Sequence, residues 1–316
     1  MQSTPMRRLD RVLRTIAPKD VCVTLIGESG SGKEILARRI HDLSHRRAGP
    51  FIPINCAAIP AALFESELFG HERGAFTGAS ERARGKIEVA HQGTLFLDEI
   101  AEMPPSAQAK LLRFLENRRF MRLGGNQKIQ VDTRIICATL QPLEKEVAAG
   151  RFRGDVYYRI QGVTLRVPSL RERRADIGPL VQHMVAVSCS VHGTKPPRLG
   201  RAVMRTLQEY DWPGNVRELR NVVELLCLLR EGRDARVRDL PEALQTSAVV
   251  SSNGPPSGGA TEEIVVRLDQ PLDDILHTVF RAALDIEAGN RSRAARRLGV
   301  SLRTVQRFVA RGTVRG

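Results

Sequence analysis

Short apolar runs alternate with amphipathic stretches over the first half of the chain. VCVTLIG, FIPINC, GTLFLDEI and TRIICATL predict buried strands, and EILARRIHDLS and PPSAQAKLLRFLEN have the spacing of helices. Alternation of strand and helix is typical of a parallel sheet that is covered by helices on both faces. We therefore expect an α/β domain over residues 1–169.

The pattern becomes helical after that domain. ADIGPLVQHMVAVSC and RELRNVVELLCLLREG predict a helical subdomain over residues 170–246. SSNGPPSGGATEE is rich in Gly, Ser and Pro and predicts a flexible linker over residues 247–263. LDDILHTVFRAALDI then begins an all-α domain over residues 264–316. Its apolar residues share one helical face: Leu272, Ile275, Leu276, Val279, Phe280 and Ala283.

Composition adds a strong charge imbalance to this picture. The 316 residues carry a net charge of +14, which favours a polyanionic partner such as DNA or RNA. The sequence has no 18-residue apolar run and no signal peptide, so we expect no membrane partner and a cytoplasmic location. Five scattered cysteines fit free thiols in a reducing compartment.

The stretch GESGSGKE, residues 27–34, lies between a predicted strand and a predicted helix, which is the context of a phosphate-binding loop. Its glycines allow backbone N–H groups to face phosphates, and Lys33 is expected to reach the β- and γ-phosphates. Glu34 stands where Ser or Thr ordinarily holds Mg²⁺, so a glycine-rich turn without nucleotide is the alternative. The predicted ATP-binding residues here are Gly27, Glu28, Ser29, Gly30, Ser31, Gly32, Lys33 and Glu34.

GTLFLDEI ends in two carboxylates, which are costly to bury without partners. At the carboxyl edge of a phosphate-loop sheet, Asp98 is expected to hold Mg²⁺ and Glu99 to polarise the attacking water. An acidic pair on the surface is the alternative for this motif alone. The two motifs together predict an ATPase.

Phosphoryl transfer also requires a cation near the developing charge. RFRGDVYYRI offers Arg153 and Arg159, and WPGNVREL offers Arg217 at the start of a helix in the second subdomain. Arginine is abundant in this chain, so each of the three is alternatively a solvated surface residue. Arg217 is the one that can approach the nucleotide from the helical subdomain.

The excess positive charge is concentrated at the C-terminus, where residues 289–316 contain eight arginines and no acidic residue. Asn290 can cap one short helix, Gly299 can end it, and Ser301 can cap a second, as in a helix–turn–helix. Ala294, Ala295, Leu298, Val300 and Val305 are expected to pack the two helices together. A basic tail without a specific target is the alternative. The predicted DNA-binding residues are Arg291, Arg293, Ser301, Arg303, Thr304, Gln306 and Arg307.

These motifs, in this order, resemble the bacterial enhancer-binding proteins, the NtrC-like AAA+ activators of sigma-54 RNA polymerase. The resemblance covers nearly the whole chain and rests on GESGSGKE, NCAA, ESELFGHERGAFTGA, GTLFLDEI, LRERRADI and WPGNVREL. GNRSRAARRLGVSLRTV is similar to the Fis-type helix–turn–helix of the same family. Glu34 is no anomaly in that family's phosphate loop.

The resemblance implies a role for each motif. Asn55 corresponds to the asparagine that pairs with the catalytic glutamate, and Arg217 to the sensor arginine of an AAA+ helical lid. Arg153 and Arg159 correspond to arginine fingers that act in a neighbouring subunit's site, which implies a homo-oligomeric ring, usually a hexamer. The sigma-54 contact is implied for the sequence GAFTGA, which has no catalytic group: Gly74, Ala75, Phe76, Thr77, Gly78 and Ala79. The implied partners are sigma-54 RNA polymerase holoenzyme and upstream enhancer DNA.

Some positions depart from the family. Leu140 follows the strand TRIICAT where the family usually has Asn, which bears on hydrolysis and its coupling rather than on nucleotide binding. Leu302 and Phe308 stand where basic residues are usual, so fewer phosphate contacts are expected. The chain begins at the catalytic domain, so we expect control by expression level, by oligomerisation or by a trans-acting regulatory protein.

Three hypotheses follow for the function. In the first, ATP hydrolysis by a ring remodels the closed sigma-54 polymerase complex from an upstream DNA site. In the second, a DNA-binding regulator uses ATP only to assemble, and Leu140 favours this reading. The third is a general AAA+ unfoldase or nucleic-acid translocase, which the GAFTGA sequence and the short terminal DNA reader disfavour.

Overall fold

The computed structural model describes residues 3–245, 280–284, 286–287, 290–297 and 305. The chain divides into two compact units, Met1–Asn253 and Gly254–Gly316. In chain order the strands are β1 (Val23–Ile26), β2 (Phe51–Asn55), β3 (Gly70–His71), β4 (Ala83–Arg84), β5 (Thr94–Asp98), β6 (Arg119–Phe120), β7 (Ile129–Gln130), β8 (Arg134–Thr139), β9 (Val163–Arg166), β10 (Arg198–Leu199) and β11 (Asp234–Ala235).

Helices alternate with these strands, as expected for an α/β domain. In chain order they are α1 (Thr4–Ile16), α2 (Lys33–Asp42), α3 (Ala61–Phe69), α4 (Lys86–Val89), α5 (Pro105–Asn117), α6 (Leu143–Ala148), α7 (Gly154–Ile160), α8 (Ile177–His192), α9 (Arg201–Glu209), α10 (Asn215–Leu229) and α11 (Arg291–Arg297). Short 3-10 turns occupy Cys56–Ala58, Ile100–Glu102, Leu170–Asp176 and Val237–Asp239.

The central sheet has five parallel strands in the order β2–β5–β8–β1–β9. All six residues of β8 are buried, as are the first four of β5, because parallel strands in such a sheet are covered on both faces. The four strands and two helices predicted in the α/β region are confirmed. The fifth strand, β9, was not predicted, since it is a short edge strand with exposed alternate residues.

The helical subdomain follows the α/β domain and has its own core. Trp212 and Leu219 are fully buried there, together with apolar residues of α8, α9 and α10. Trp212 Nε1 donates a hydrogen bond to the carbonyl oxygen of Leu207 at 2.8 Å, so its one polar atom is satisfied inside the core. The core fixes the start of α10 immediately after the turn that contains Trp212.

Two small antiparallel hairpins project from the sheet domain. Strand β3 pairs with β4, and β6 pairs with β7. A parallel bridge between His71 and Leu123 joins the first hairpin to the second. The GAFTGA sequence connects the two strands of the first hairpin.

The C-terminal unit is described over part of its length. Asn290 Oδ1 accepts hydrogen bonds from the backbone N–H groups of Ser292 at 3.1 Å and Arg293 at 3.2 Å, which confirms the predicted cap of α11. Phe280, Ala295 and Val305 are buried against one another. The predicted linker and the predicted positions of Gly299 and Ser301 lie outside the described residues.

Candidate active site and partner surfaces

The phosphate loop, residues 27–34, connects β1 to α2. Gly32 has φ 99°, a left-handed conformation that favours glycine, and it directly precedes the first residue of α2. The backbone N–H of Gly27 donates to the carbonyl oxygen of Thr139 at 3.2 Å, which fixes the loop to the end of β8. The loop therefore begins at the carboxyl edge of the sheet and ends at a helix N-terminus, where phosphates are favoured.

Lys33 is buried at the start of α2. Its Nζ donates hydrogen bonds to the carbonyl oxygens of Gly27 at 2.8 Å and Glu28 at 3.2 Å. Burial lowers the pKa of Lys33, and the negative charges of Asp98 and Glu99 oppose that shift. The ammonium thus lies among loop carbonyls, where phosphate oxygens can take over as its acceptors.

Asp98 and Glu99 lie at the end of β5, near Lys33. Asp98 Oδ1 accepts a hydrogen bond from the backbone N–H of Glu99 at 3.0 Å. Glu99 has φ 52°, a left-handed conformation that costs energy for a residue other than glycine and is often found at functional sites. Both side chains line a cleft of about 210 Å³ together with Lys33 and Gly30.

The helical subdomain closes one side of this cleft. Arg217 lines it, and Arg217 Nη1 donates to Ser29 Oγ at 2.8 Å. The backbone N–H of Val216 donates to the carbonyl oxygen of Gly30 at 3.0 Å. The structure therefore brings Arg217 to the phosphate loop, where the sequence expected it to approach nucleotide.

Asn215 is fully buried, and its contacts with the phosphate loop were not predicted from the sequence. Its Nδ2 donates to the carbonyl oxygen of Ser29 at 3.0 Å and to Glu28 Oε2 at 3.1 Å. Its Oδ1 accepts from the backbone N–H of Leu170 at 2.8 Å. The signal was present in WPGNVREL, but only the arginine of that motif was assigned a role.

Two arginines of LRERRADI also reach the phosphate loop. Arg171 forms an ion pair with Glu28, and that guanidinium, followed by the amide of Asn215, lowers the pKa of Glu28. Arg173 is buried and donates through Nη2 to the carbonyl oxygen of Ser31 at 2.5 Å. The sequence did not predict that these two arginines contact the phosphate loop.

Three other residues were predicted to act in catalysis, and none of them lines the cleft: Asn55, Arg153 and Arg159. Asn55 pairs in register with Asp98, but its Oδ1 accepts from the backbone N–H groups of Ala57 and Ala58, and it forms no described bond to Glu99. Arg153 is exposed and paired with Asp155 at 2.7 Å. Arg159 is exposed and donates to the carbonyl oxygen of Leu115 at 3.3 Å. Neither arginine lines the cleft of its own chain.

The site offers features that fit a nucleotide with Mg²⁺. Ser31 Oγ is buried without a hydrogen-bond partner in the described part of the chain. Asp98 and Glu99 supply carboxylate oxygens, the donors that Mg²⁺ prefers. No cluster of three or more metal-binding side chains occurs among the described residues. Any Mg²⁺ held here would therefore rely on these carboxylates, phosphate oxygens and water.

The loop at residues 74–79 lies at the end of the first hairpin, with four of its six residues exposed and Ala79 buried. Its backbone closes on itself, since the N–H of Gly74 donates to the carbonyl oxygen of Ala79 at 2.8 Å. Phe76 is 41% exposed, and its ring lies edge-on to that of His71 at 4.9 Å. Thr77 is exposed, and within the described chain its side chain has no hydrogen bond. The tip thus presents one aromatic ring and one free hydroxyl.

The predicted DNA-binding residues are described only in part. Arg291 and Arg293 lie on α11 and are exposed. The other predicted residues lie outside the described residues: Ser301, Arg303, Thr304, Gln306 and Arg307. In the part of the chain that the structure describes, no helix is long and apolar enough to cross a membrane. The five cysteines are free.

The parallel sheet, the phosphate loop beside Asp98 and Glu99, and the helical subdomain that reaches the loop define an AAA+ P-loop ATPase with its lid. Three family models match the chain: the Sigma-54 interaction domain over residues 1–166, the AAA+ ATPase lid domain over residues 171–255, and the bacterial regulatory protein, Fis family, over residues 278–307. The chain therefore belongs to the sigma-54-dependent AAA+ transcriptional activators that carry a Fis-type helix–turn–helix.

Individual curated proteins and a solved structure are also similar to the chain over most of its length. The chain is 42% identical to the transcriptional regulatory protein ZraR of Salmonella typhi, with 96% of this chain and 66% of ZraR covered. It is 42% identical to the response regulator protein PilR of Pseudomonas aeruginosa, with 96% and 67% covered. The crystal structure of NtrX from Brucella abortus in complex with ATP matches with a TM-score of 0.71 at 35% identity, covering 98% of this chain and 68% of that one. The chain spans about two thirds of the length of these relatives.

Proposed function

We propose that the chain hydrolyses ATP within a homo-oligomeric ring and uses that cycle to move residues 74–79 against sigma-54 in the closed polymerase complex. One observation carries the proposal. The domain that matches the Sigma-54 interaction model holds the phosphate loop, Asp98 and Glu99, and the lid closes one side of the cleft that they form. The same domain also carries a separate exposed loop with no catalytic group. Coupling of ATP hydrolysis to movement of a partner-binding loop requires both a catalytic cleft and a loop without a catalytic role.

Nucleotide binding would use the loop at residues 27–34 and the lid. Backbone N–H groups at the start of α2 favour phosphate, and Lys33 exchanges its carbonyl acceptors for phosphate oxygens. Arg217 is near enough to Ser29 to reach the same ligand from the lid. Structures of the relative NtrX in complex with ATP and with ADP support this assignment.

Hydrolysis would use the carboxylates at the end of β5. Asp98 is the residue that would hold Mg²⁺, and a bound Mg²⁺ offsets charge on the phosphate oxygens. Glu99 would accept a hydrogen bond from the attacking water and orient it. Asn55, on the neighbouring strand, would sense that state by exchanging its present backbone acceptor role for a contact with Glu99.

The positions of Arg153 and Arg159 support the proposed ring. Both are exposed and neither lines the cleft of its own chain, although phosphoryl transfer needs a cation near the developing charge. A neighbouring subunit in a ring would receive them. To reach that site, Arg153 would leave its exposed ion pair with Asp155, which contributes little stability and is easily exchanged.

Upstream DNA would be bound by the C-terminal domain, residues 264–316, joined by a linker at 247–263 to the lid at 170–246 and the α/β domain at 1–169. The exposed arginines of α11 and the Fis-type family match support this role. Deletion of residues 264–316 should remove site-specific DNA binding and leave ATPase activity within about twofold. A footprint retained by the truncated chain would contradict the assignment.

The deciding experiment is in vitro transcription with sigma-54 polymerase. Thr77→Ala should abolish open-complex formation while ATPase activity changes less than about twofold, because Thr77 does not line the cleft. Ser80→Ala is the matched control, since it removes an exposed hydroxyl just outside the hexapeptide. Transcription that survives Thr77→Ala would refute the contact role of the loop.

The alternative that ATP serves only assembly is favoured by Leu140. Its side chain is 48% exposed immediately after Thr139 at the end of β8, and it offers no polar group to a phosphate. Single-turnover hydrolysis by the assembled chain separates the two functions. Assembly with ATP but without phosphate release would establish the alternative.

A further inference from the structure

A wide groove lies between the C-terminal half of α5 and the hairpin of β6 and β7. Its volume is about 760 Å³. No acidic residue lines it, whereas five cationic side chains do: Lys110, Arg113, Arg119, Arg122 and Lys128. It is separate from the nucleotide cleft, and none of the roles assigned above uses it.

Two of these cations already have partners. Lys110 pairs with Glu65, and Arg122 pairs with Glu72 at 2.7 Å and with Glu88 at 2.6 Å. Arg122 is only 4% exposed, so its role is structural. Its two ion pairs tie the hairpin of β6 and β7 to the neighbouring elements of the domain.

The other three cations are exposed and free of acidic partners. Arg113, Arg119 and Lys128 form no ion pair with any described residue. Arg119 Nη2 donates to Gln130 Oε1 at 3.2 Å, and both residues line the groove. Three unpaired positive charges around one concave surface attract a polyanion.

The backbone of the hairpin holds this surface in place. The N–H of Leu123 donates to the carbonyl oxygen of Gly70 at 2.9 Å, and the N–H of Glu72 donates to the carbonyl oxygen of Leu123 at 3.0 Å. At Gly124, a Cβ would lie 2.9 Å from the Cβ of Ala75, so the hairpin also packs closely on the loop at residues 74–79. The groove is therefore preformed rather than assembled on binding.

The side chains suit phosphate oxygens and favour a duplex over a single strand. Guanidinium groups and the amides of Asn117 and Gln130 suit phosphate oxygens. The aromatic rings of the groove, Phe69 and Phe120, are 1% and 7% exposed, so they cannot stack on the bases of a single strand. Among the residues that line the groove, no aromatic side chain is exposed enough to stack on a base.

We propose that this groove binds the phosphate backbone of duplex DNA without sequence preference, as a second DNA contact distinct from the C-terminal helix–turn–helix. The proposal does not rest on ATP hydrolysis or on sigma-54. The groove gives the ATPase domain its own salt-dependent contact with DNA, next to the loop at residues 74–79.

The test compares two full-length triple variants that lose the same charge. The first combines Arg113→Gln, Arg119→Gln and Lys128→Gln in the groove. The control combines Lys195→Gln, Arg201→Gln and Arg233→Gln on the lid, where the side chains are also exposed and outside any ion pair among the described residues. Binding to a short duplex of scrambled sequence is measured by fluorescence anisotropy without nucleotide.

The groove variant should bind roughly tenfold or more weakly at about 0.1 M salt, and its plot of log K against log salt should be shallower by about 2.7, or 0.9 per phosphate. The control should match the wild type in both quantities. An equal loss in the two variants would overturn the proposal, because net charge alone would then explain binding. A groove variant that binds like the wild type would overturn it as well.

A photo-crosslinker at Met121, whose side chain is 50% exposed in the groove, keeps the test valid if the triple variant does not fold. Crosslinking to the duplex should occur and should be displaced by unlabelled duplex more readily than by a single strand or by polyglutamate. Preferential displacement by polyglutamate would assign the groove to an acidic peptide and reject the DNA proposal. Absence of any DNA crosslink would also reject it.

Discussion

The nucleotide cleft and the loop at residues 74–79 both depend on glycines with positive φ, but the space around those glycines differs. At Gly30, with φ +70°, a Cβ would lie 2.4 Å from the carbonyl oxygen of Gly214. At Gly74 and Gly78, with φ +78° and +104°, a Cβ would meet nothing within 4 Å. The phosphate loop is therefore confined by the lid at Gly30, whereas the exposed loop has open space at Gly74 and Gly78.

The phosphate loop and the loop at residues 74–79 therefore differ in how easily they can change shape. The phosphate loop is fixed by buried groups of the lid, above all Asn215 and Arg173. The exposed loop has a few internal hydrogen bonds and one ring contact between Phe76 and His71. Segments with few buried contacts open at low free energy, so the loop can change shape while the cleft keeps its geometry.

The largest expected effect on ATP hydrolysis concerns Lys33. Lys33→Ala should weaken ATP affinity by roughly 10- to 150-fold, the value of a charged hydrogen bond of about 1.5–3 kcal/mol, and should abolish detectable hydrolysis. The unfolding free energy without nucleotide should change little, because the desolvation of this ammonium offsets its two hydrogen bonds to loop carbonyls. Calorimetric titration measures the affinity and urea unfolding measures the stability.

Lys19→Ala is the control for that experiment, since Lys19 is an exposed lysine outside the loop. It should change neither quantity by a measurable amount. Unchanged nucleotide affinity in Lys33→Ala would show that residues 27–34 are not the phosphate site.

The same substitution placed in both regions tests the contrast directly. Gly30→Ala should cost about 2–5 kcal/mol of unfolding free energy, because a left-handed backbone and a clash with the Gly214 carbonyl act together. Gly78→Ala should cost about 1–2 kcal/mol, from the backbone conformation alone. Gly30→Ala should also lose ATP affinity, and Gly78→Ala should keep it. Urea unfolding and nucleotide titration report the two effects, and equal costs would show that the cleft is no more confined than the loop.

The sequence predicted the parts of this contrast that local chemistry encodes. Four central strands, the helix after the phosphate loop, and the proximity of Lys33 to Asp98 and Glu99 followed from apolar runs and motif spacing. Continuous apolar runs are a strong signal because parallel strands are buried on both faces.

The missing parts arise from tertiary contacts. Asn215 lies almost two hundred positions from Glu28, and nothing in its local pattern indicates that its amide joins the lid to the phosphate loop. Arg122 is one arginine among many until the fold brings Glu72 and Glu88 to it. The short pairs β3–β4 and β6–β7 are only two residues per strand, too short for a periodicity signal.

A smaller effect than that of Gly30 is expected at Asn215. Asn215→Ala leaves the buried N–H of Leu170 and the carbonyl oxygen of Ser29 without their partner, and it puts alanine at φ 52°. We expect a loss of about 2–4 kcal/mol in unfolding free energy and a raised KM for ATP. Asn215→Asp keeps the acceptor for Leu170 and should recover part of the stability. A stable alanine variant with unchanged KM would show that the lid does not position the loop.

The smallest effect is expected at Glu28. Its ion pair with Arg171 is the exposed part of the contact between the lid and the phosphate loop, whereas Asn215 is the buried part. Glu28 and Arg171 have side chains that are each 43% exposed, so their ion pair is worth about 0–1 kcal/mol and weakens with salt. The pKa of Glu28 is held below its usual 4.5, first by Arg171 and then by Asn215, so its contribution is full above about pH 4.5 and is lost as pH falls through the lowered pKa. Glu28→Gln should therefore cost under about 1 kcal/mol at pH 7 and less at pH 3 in urea unfolding. A loss comparable with that of Asn215→Ala would mean that the ion pair, and not the buried amide, holds the lid on the phosphate loop.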